Sequence, residues 1–145
     1  INNPDMATPE SKYSEDVRQH LTFIQDVITR MNSNSFSMKA WMLAIVSALC
    51  AIYASNAANQ YSYIYFIIAI PIVIIFWFLD AYYLKMERQY RDLYKDVCKS
   101  KEETDFNMNA SGYKQCFCDA LFSPSNWPLY VSVIALLGAA IFMIL

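Results

Sequence analysis

Three stretches of the chain, Ala40–Ser55, Tyr61–Leu79 and Trp127–Leu145, contain no Asp, Glu, Lys or Arg. A helix that crosses a bilayer needs about 20 predominantly apolar residues, with about 17 as the lower limit. The second and third stretches clear that limit. The first reaches it if Lys39 and the polar residues beyond Ser55 lie among the headgroups. Of the 145 residues, 57% are hydrophobic, against roughly 45–50% in a soluble domain. Too little polar sequence is left to wrap three such helices inside a water-soluble core. The predicted class is an all-α membrane protein with three transmembrane helices, an N-terminal amphipathic helix and a cytoplasmic extension of the second span. Its predicted parts are an amphipathic helix and polar collar over 1–38, a transmembrane hairpin over 39–80, a helix and loop over 81–126, and a third span over 127–145.

The basic residues predict the orientation. Lys12, Arg18, Arg30 and Lys39 precede the first span, and Lys85, Arg88, Arg91, Lys95, Lys99, Lys101 and Lys114 lie between the second and third. The turn Asn56–Gln60 has none. Positively charged loops stay in the cytoplasm, so the N-terminus and the middle region are predicted there and the turn outside. The sequon at Asn109 then lies on the wrong side for glycosylation and reads as chance. The first residue is Ile1 rather than Met, so a missing or processed start is expected, and the apolar stretches begin too late for a signal peptide.

The spans differ in texture. In the first, Ala44, Ala48 and Ala51 belong to rows of small residues that let helix backbones approach closely, so a place inside a bundle or oligomer is expected. Gly138, with Ala135 and Ala139, offers a similar patch in the third. The second span is bulky and is expected to face lipid over much of its surface. Pro71 at its middle removes a backbone donor, and a kink is expected there.

Two seams flank the hairpin. Thr8-Pro9-Glu10 has the form of a helix start. Val17, Leu21, Ile24, Ile28 and Met31 follow at helical spacing, and Tyr83, Met86, Tyr90, Leu93 and Val97 repeat the pattern beyond the second span. The two seams can pack on each other or on a partner, and Tyr83–Val97 is the candidate partner surface. Glu87–Arg91 and Arg88–Asp92 are spaced to pair along the second helix. "YKQCFCDALF" reads as a short helix with Tyr113, Phe117, Ala120 and Leu121 inward.

No catalytic motif is visible: no nucleophile elbow, no phosphate-binding glycine loop and no zinc-protease signature. The four cysteines are scattered and the single histidine, His20, is expected to be a solvated residue on a charged helix. No enzyme activity, cofactor, metal or nucleic-acid partner is expected. Asn32, Asn34, Ser35 and Ser37 form a polar collar before the first span. Such residues cap helices and turn chains, or in an oligomer ring a pore mouth. Asp80 closes the second span. The midpoint between Lys39 and Asp80 falls in the outer turn, so an antiparallel hairpin brings both to one depth, and a Lys39–Asp80 pair is expected. Arg30 is a second candidate partner, and an ion-pathway role for Asp80 stays open.

The stretches "RMNSNSFSMKAW" and "FWFLDAYYLKMERQYRDLY" give Arg30–Tyr94 a resemblance to short bacterial membrane effectors of anti-phage defence loci, in which a two-span hairpin with cytoplasmic helices acts beside a nucleotide-signalling enzyme. The resemblance implies a homo-oligomeric, multi-pass protein of the bacterial inner membrane that forms a pore or disrupts the membrane when a cytoplasmic partner protein or nucleotide signal triggers it. The reading from another class is a non-enzymatic anchoring or sensing subunit of a larger complex.

Overall fold

The computed structural model describes residues 14–100 and 104–144. The start read at Thr8-Pro9-Glu10 lies outside them, as do Lys12, Lys101 and Leu145. Helix α1 runs from Glu15 to Ser55 and begins at Ser14, whose hydroxyl accepts the Val17 amide. Glu15 and Asp16 sit in the first turn, where carboxylates favour the positive end of the helix dipole. Helix α2 covers Ile64–Val97, α3 is the short Phe117–Leu121, and α4 is Trp127–Ile144. A 3-10 turn, Ala110–Gly112, precedes α3. Three of these helices, α1, α2 and α4, are long and apolar enough to cross a membrane.

The polar collar does not turn the chain. Met31–Lys39 lies inside α1, which passes from charged to apolar sequence without a break. Ser35, Met38, Met42 and Val46 keep a buried stripe in register through the collar. That packing overrides the weak helix propensity of Asn and Ser. Ser37 returns its hydroxyl to the Ser33 carbonyl one turn back. Pro71 lies inside α2 with its ring exposed.

Helix α2 is the hub on which α1, α3 and α4 pack. One stripe of it, Phe66, Ala69 and Val73, is buried against Met42 and Val46 of α1 and Tyr130 and Leu137 of α4. Ala69 is 0% exposed and lets the backbones close up there. The bulky second span is thus central on one side, while Ile64, Ile67, Ile68, Ile75 and Phe78 stay exposed on the other.

A second core joins the polar ends of α1 and α2. Ile24, Ile28, Leu93 and Ala110 are buried together, with Tyr90, Val97, Met108 and Tyr113 packed around them. The segment that supplies Met108 and Ala110 has no regular structure before the 3-10 turn. Its amides are taken up by side chains two residues earlier: Phe106 by Thr104, Asn107 by Asp105, Asn109 by Asn107 and Ser111 by Asn109. Alternate placement of Asp and Asn thereby satisfies backbone that neither helix nor sheet would.

Candidate functional site

Asp80 is fully buried where the three long helices meet. Its Oδ1 accepts the Ser35 hydroxyl, and its Oδ2 accepts both Lys39 Nζ and the Tyr130 phenol, the latter at 2.9 Å. Lys39 Nζ also donates to Ser35 Oγ at 3.1 Å. Ser35 and Lys39 lie one turn apart on α1, so one helix face delivers both. Tyr130 comes from the first turn of α4, where its ring stacks on Trp77 with centroids 6.1 Å apart. The approach of α4 is fixed by two more bonds from α2. Trp77 Nε1 donates to the Leu121 carbonyl at 3.0 Å, and Arg88 Nη2 to Ser123 Oγ at 2.9 Å.

A buried carboxylate is costly unless it is paired and its remaining lone pairs are filled. Asp80 meets both conditions, with one cation and two hydroxyl donors. Charge balances within the cluster, and every member is bonded to another. The arrangement clamps three spans at one depth. Arg30, the other candidate partner for Asp80, is exposed and takes no part.

Of the collar residues, Ser35 belongs to the clamp, and Asn32 joins Ser35 and Lys39 along an open cleft of about 490 Å³ that Glu87 and Arg91 also line. Asn34 and Ser37 do not line it. The Lys39 side chain is 21% exposed, so the cleft is the side from which solvent reaches the clamp.

Several other expectations change in the structure. His20 is not a solvated surface residue: it is fully buried, with Nδ1 on Thr104 Oγ1 and its ring beside Phe106 at 5.5 Å. The cause is the return of segment 104–106 across α1, which helical periodicity alone cannot anticipate. Its Nε2 has no hydrogen-bond partner among the described residues. Arg88 and Asp92 do not pair with each other. Arg88 reaches Ser123, and Asp92 takes Lys95 and Gln115. Glu87 does pair with Arg91, at 2.7 Å.

The seam residues Tyr90, Leu93 and Val97 pack on Ile24 and Ile28 of the same chain, while Tyr83 and Met86 are half-buried. Ala44, Ala48, Ala51 and Gly138 are all exposed, and a methyl group added at Gly138 would meet nothing within 4 Å. Among the described residues, neither buried core includes these small residues. Among the described residues no group of His, Cys, Asp and Glu is placed to hold a metal ion.

Tyr113 ties the segment before α3 to α2. Gln89 Nε2 donates to its carbonyl at 2.8 Å. The hydrogen bond between its phenol and Asp96, and then its burial, hold that phenol above the usual range. A raised phenol pKa means that the stabilisation is whole below the ordinary value of about 10 and is lost as pH climbs through the folded-state value. Amide exchange at Ala110–Gln115 is therefore expected to accelerate above that pH in the wild-type chain. In Tyr113→Phe the alkaline step should be missing, and an unchanged step would assign it elsewhere.

Comparison with family models, with curated proteins and with solved structures finds no match to this chain.

Proposed function

We propose that this chain is a non-enzymatic effector of the bacterial inner membrane that assembles with copies of itself and opens a path through the bilayer when a signal or partner protein engages its cytoplasmic end. The observation that carries the reading is one face of α1. At 3.6 residues per turn, Ala40, Ala44, Ser47, Ala48, Ala51, Ala54 and Ser55 fill about a third of the helix circumference. All are exposed, and they lie across the helix from the buried Met42 and Val46. No residue larger than serine interrupts that sector. Lipid chains gain little against so flat a surface, whereas a second helix can approach it closely and share the serine hydroxyls.

The distribution of basic residues supports a cytoplasmic side for the charged ends of α1 and α2. They form the amphipathic helix and the extension of the second span. Their seam is filled from within the chain, which leaves the outer surface of this short bundle to receive a trigger. The clamp at Asp80 joins that bundle to the spans.

In a chain whose four native cysteines are replaced by serine, Ala48→Cys is expected to give disulfide dimers on oxidation in vesicles, and the wild-type chain should release a trapped dye slowly, since the open state is a minor population before a trigger binds. Ala44→Leu together with Ala51→Leu, added to Ala48→Cys for the crosslinking arm, should abolish both while leaving helicity intact. A chain that stays monomeric in the bilayer and releases no dye would overturn the proposal.

A further inference from the structure

Helix α2 carries a second face that the clamp does not use. Ile74, Phe78 and Tyr82 follow one another at spacing four, and Lys85, Met86 and Gln89 continue the row. Along its lower part runs an open groove of about 560 Å³, lined by Ile74, Ile75, Phe78, Leu79, Tyr82 and Phe117. Along its upper part runs a cleft of about 420 Å³, walled by Lys85, Gln89, Tyr90 and the turn Asn109–Ser111. Tyr82 borders both, so the two form one trough. The switch from apolar to polar comes within a turn of Asp80, the depth at which the spans end. Met108–Ser111 and Phe117 form the opposite wall, with Phe117 stacked on Phe78 at 5.9 Å.

We infer that this trough holds one anionic phospholipid from the leaflet on the Lys39–Asp80 side. The lower groove is lined by side chains without charge and suits an acyl chain. The upper cleft offers an ammonium at Lys85, the Ser111 hydroxyl and the side-chain Nδ2 of Asn109, with no carboxylate in its lining. Among the described residues Lys85 makes no ion pair, unlike Lys39, Lys95 and Lys99. A phosphate at the headgroup level would supply its counter-charge. Tyrosine is favoured at that boundary, where its ring lies in apolar surroundings and its hydroxyl in wet ones. Each half of the trough is within the range of about 300–1,000 Å³ typical of small-molecule sites. The inference does not depend on the pore reading, because the lipid is counted per chain in any assembly.

The test is native mass spectrometry of the full chain in detergent, titrated with phosphatidylglycerol or phosphatidylcholine of matched acyl chains. One phosphatidylglycerol per chain should survive activation that strips phosphatidylcholine. A lysine beside an anionic headgroup contributes about 1 kcal/mol, so Lys85→Gln should weaken phosphatidylglycerol about fivefold. Lys85→Arg should keep the preference, and Lys95→Gln, on the exposed side of α2, should leave it unchanged. Ser111→Asp, an exposed position where folding is not at risk, should erase the preference by placing an anion in the cleft. Phe117→Ser should weaken both lipids. Equal retention of the two lipids, indifference to both Lys85→Gln and Ser111→Asp, or displacement of the lipid by millimolar inorganic phosphate alone would overturn the assignment.

Discussion

Replacing Lys39 with methionine is expected to cost the fold about 3–5 kcal/mol, the range for breaking a buried pair from one side. The substitution keeps most of the side-chain volume, so the loss falls on Asp80, which is 0% exposed and has Lys39 as its cation. Asp80→Leu is expected to be comparably damaging, because it leaves the ammonium without its counter-charge and the Tyr130 hydroxyl without its acceptor. The double variant is the informative one. With both charges gone, the remaining loss is that of two hydroxyl bonds, and Ser35 can turn its hydroxyl back to a carbonyl of its own helix. The double variant should therefore be less destabilised than the sum of the singles by about 2–3 kcal/mol. Reversible unfolding of the four proteins in mixed micelles measures this directly. Additivity within about 0.5 kcal/mol would show that the two charges are compensated separately.

The second large effect is local. Ile24 is 0% exposed and sits among Ile28, Leu93 and Ala110, the core of the polar bundle. Ile24→Asp places a carboxylate there with no cation in that cluster, which should cost more than about 4 kcal/mol. Because the clamp at Asp80 and the span core lie on the far side of the collar, the damage should stay in the polar half. Limited proteolysis is expected to cut between Arg18 and Arg30 and between Arg91 and Lys99 in the variant, and to leave the apolar parts of the long helices, 40–80 and 127–144, protected. Ile24→Ala, with an expected loss of about 2–5 kcal/mol, should show the same pattern in weaker form. Cleavage spread evenly over both halves would mean that the chain unfolds as one unit. These two experiments also separate the halves functionally. The first loosens the joint between bundle and spans, and the second opens the bundle while leaving the joint alone.

The three long helices are legible from charge-free runs alone, because no other arrangement of this chain hides so much apolar surface. The shared depth of Lys39 and Asp80 is legible for a similar reason: an antiparallel hairpin fixes which residues face each other once its turn is located. The other two members of the site are not. Tyr130 stands 50 residues from Asp80 in sequence, and nothing in the pattern of α4 says which side of that helix meets α2. Ser35 reads as one of several collar hydroxyls, and only its place in the row that includes Met38 and Met42 distinguishes it afterwards. The burial of His20 is not legible either, because it comes from a loop that crosses α1 rather than from its own helix. The return of that loop is set by its Asp and Asn turns, a local chemistry that hydrophobic periodicity does not register.

Those turns have a consequence for assembly as well. A strand at the edge of a sheet offers a row of unpaired amides on which a strand from another molecule can add. Here the amides of Asn107, Asn109 and Ser111 are already spent on the side chains of Asp105, Asn107 and Asn109. The segment is closed to such recruitment from its amide side. A strand from another molecule could pair with those amides only after the turns that hold them had broken.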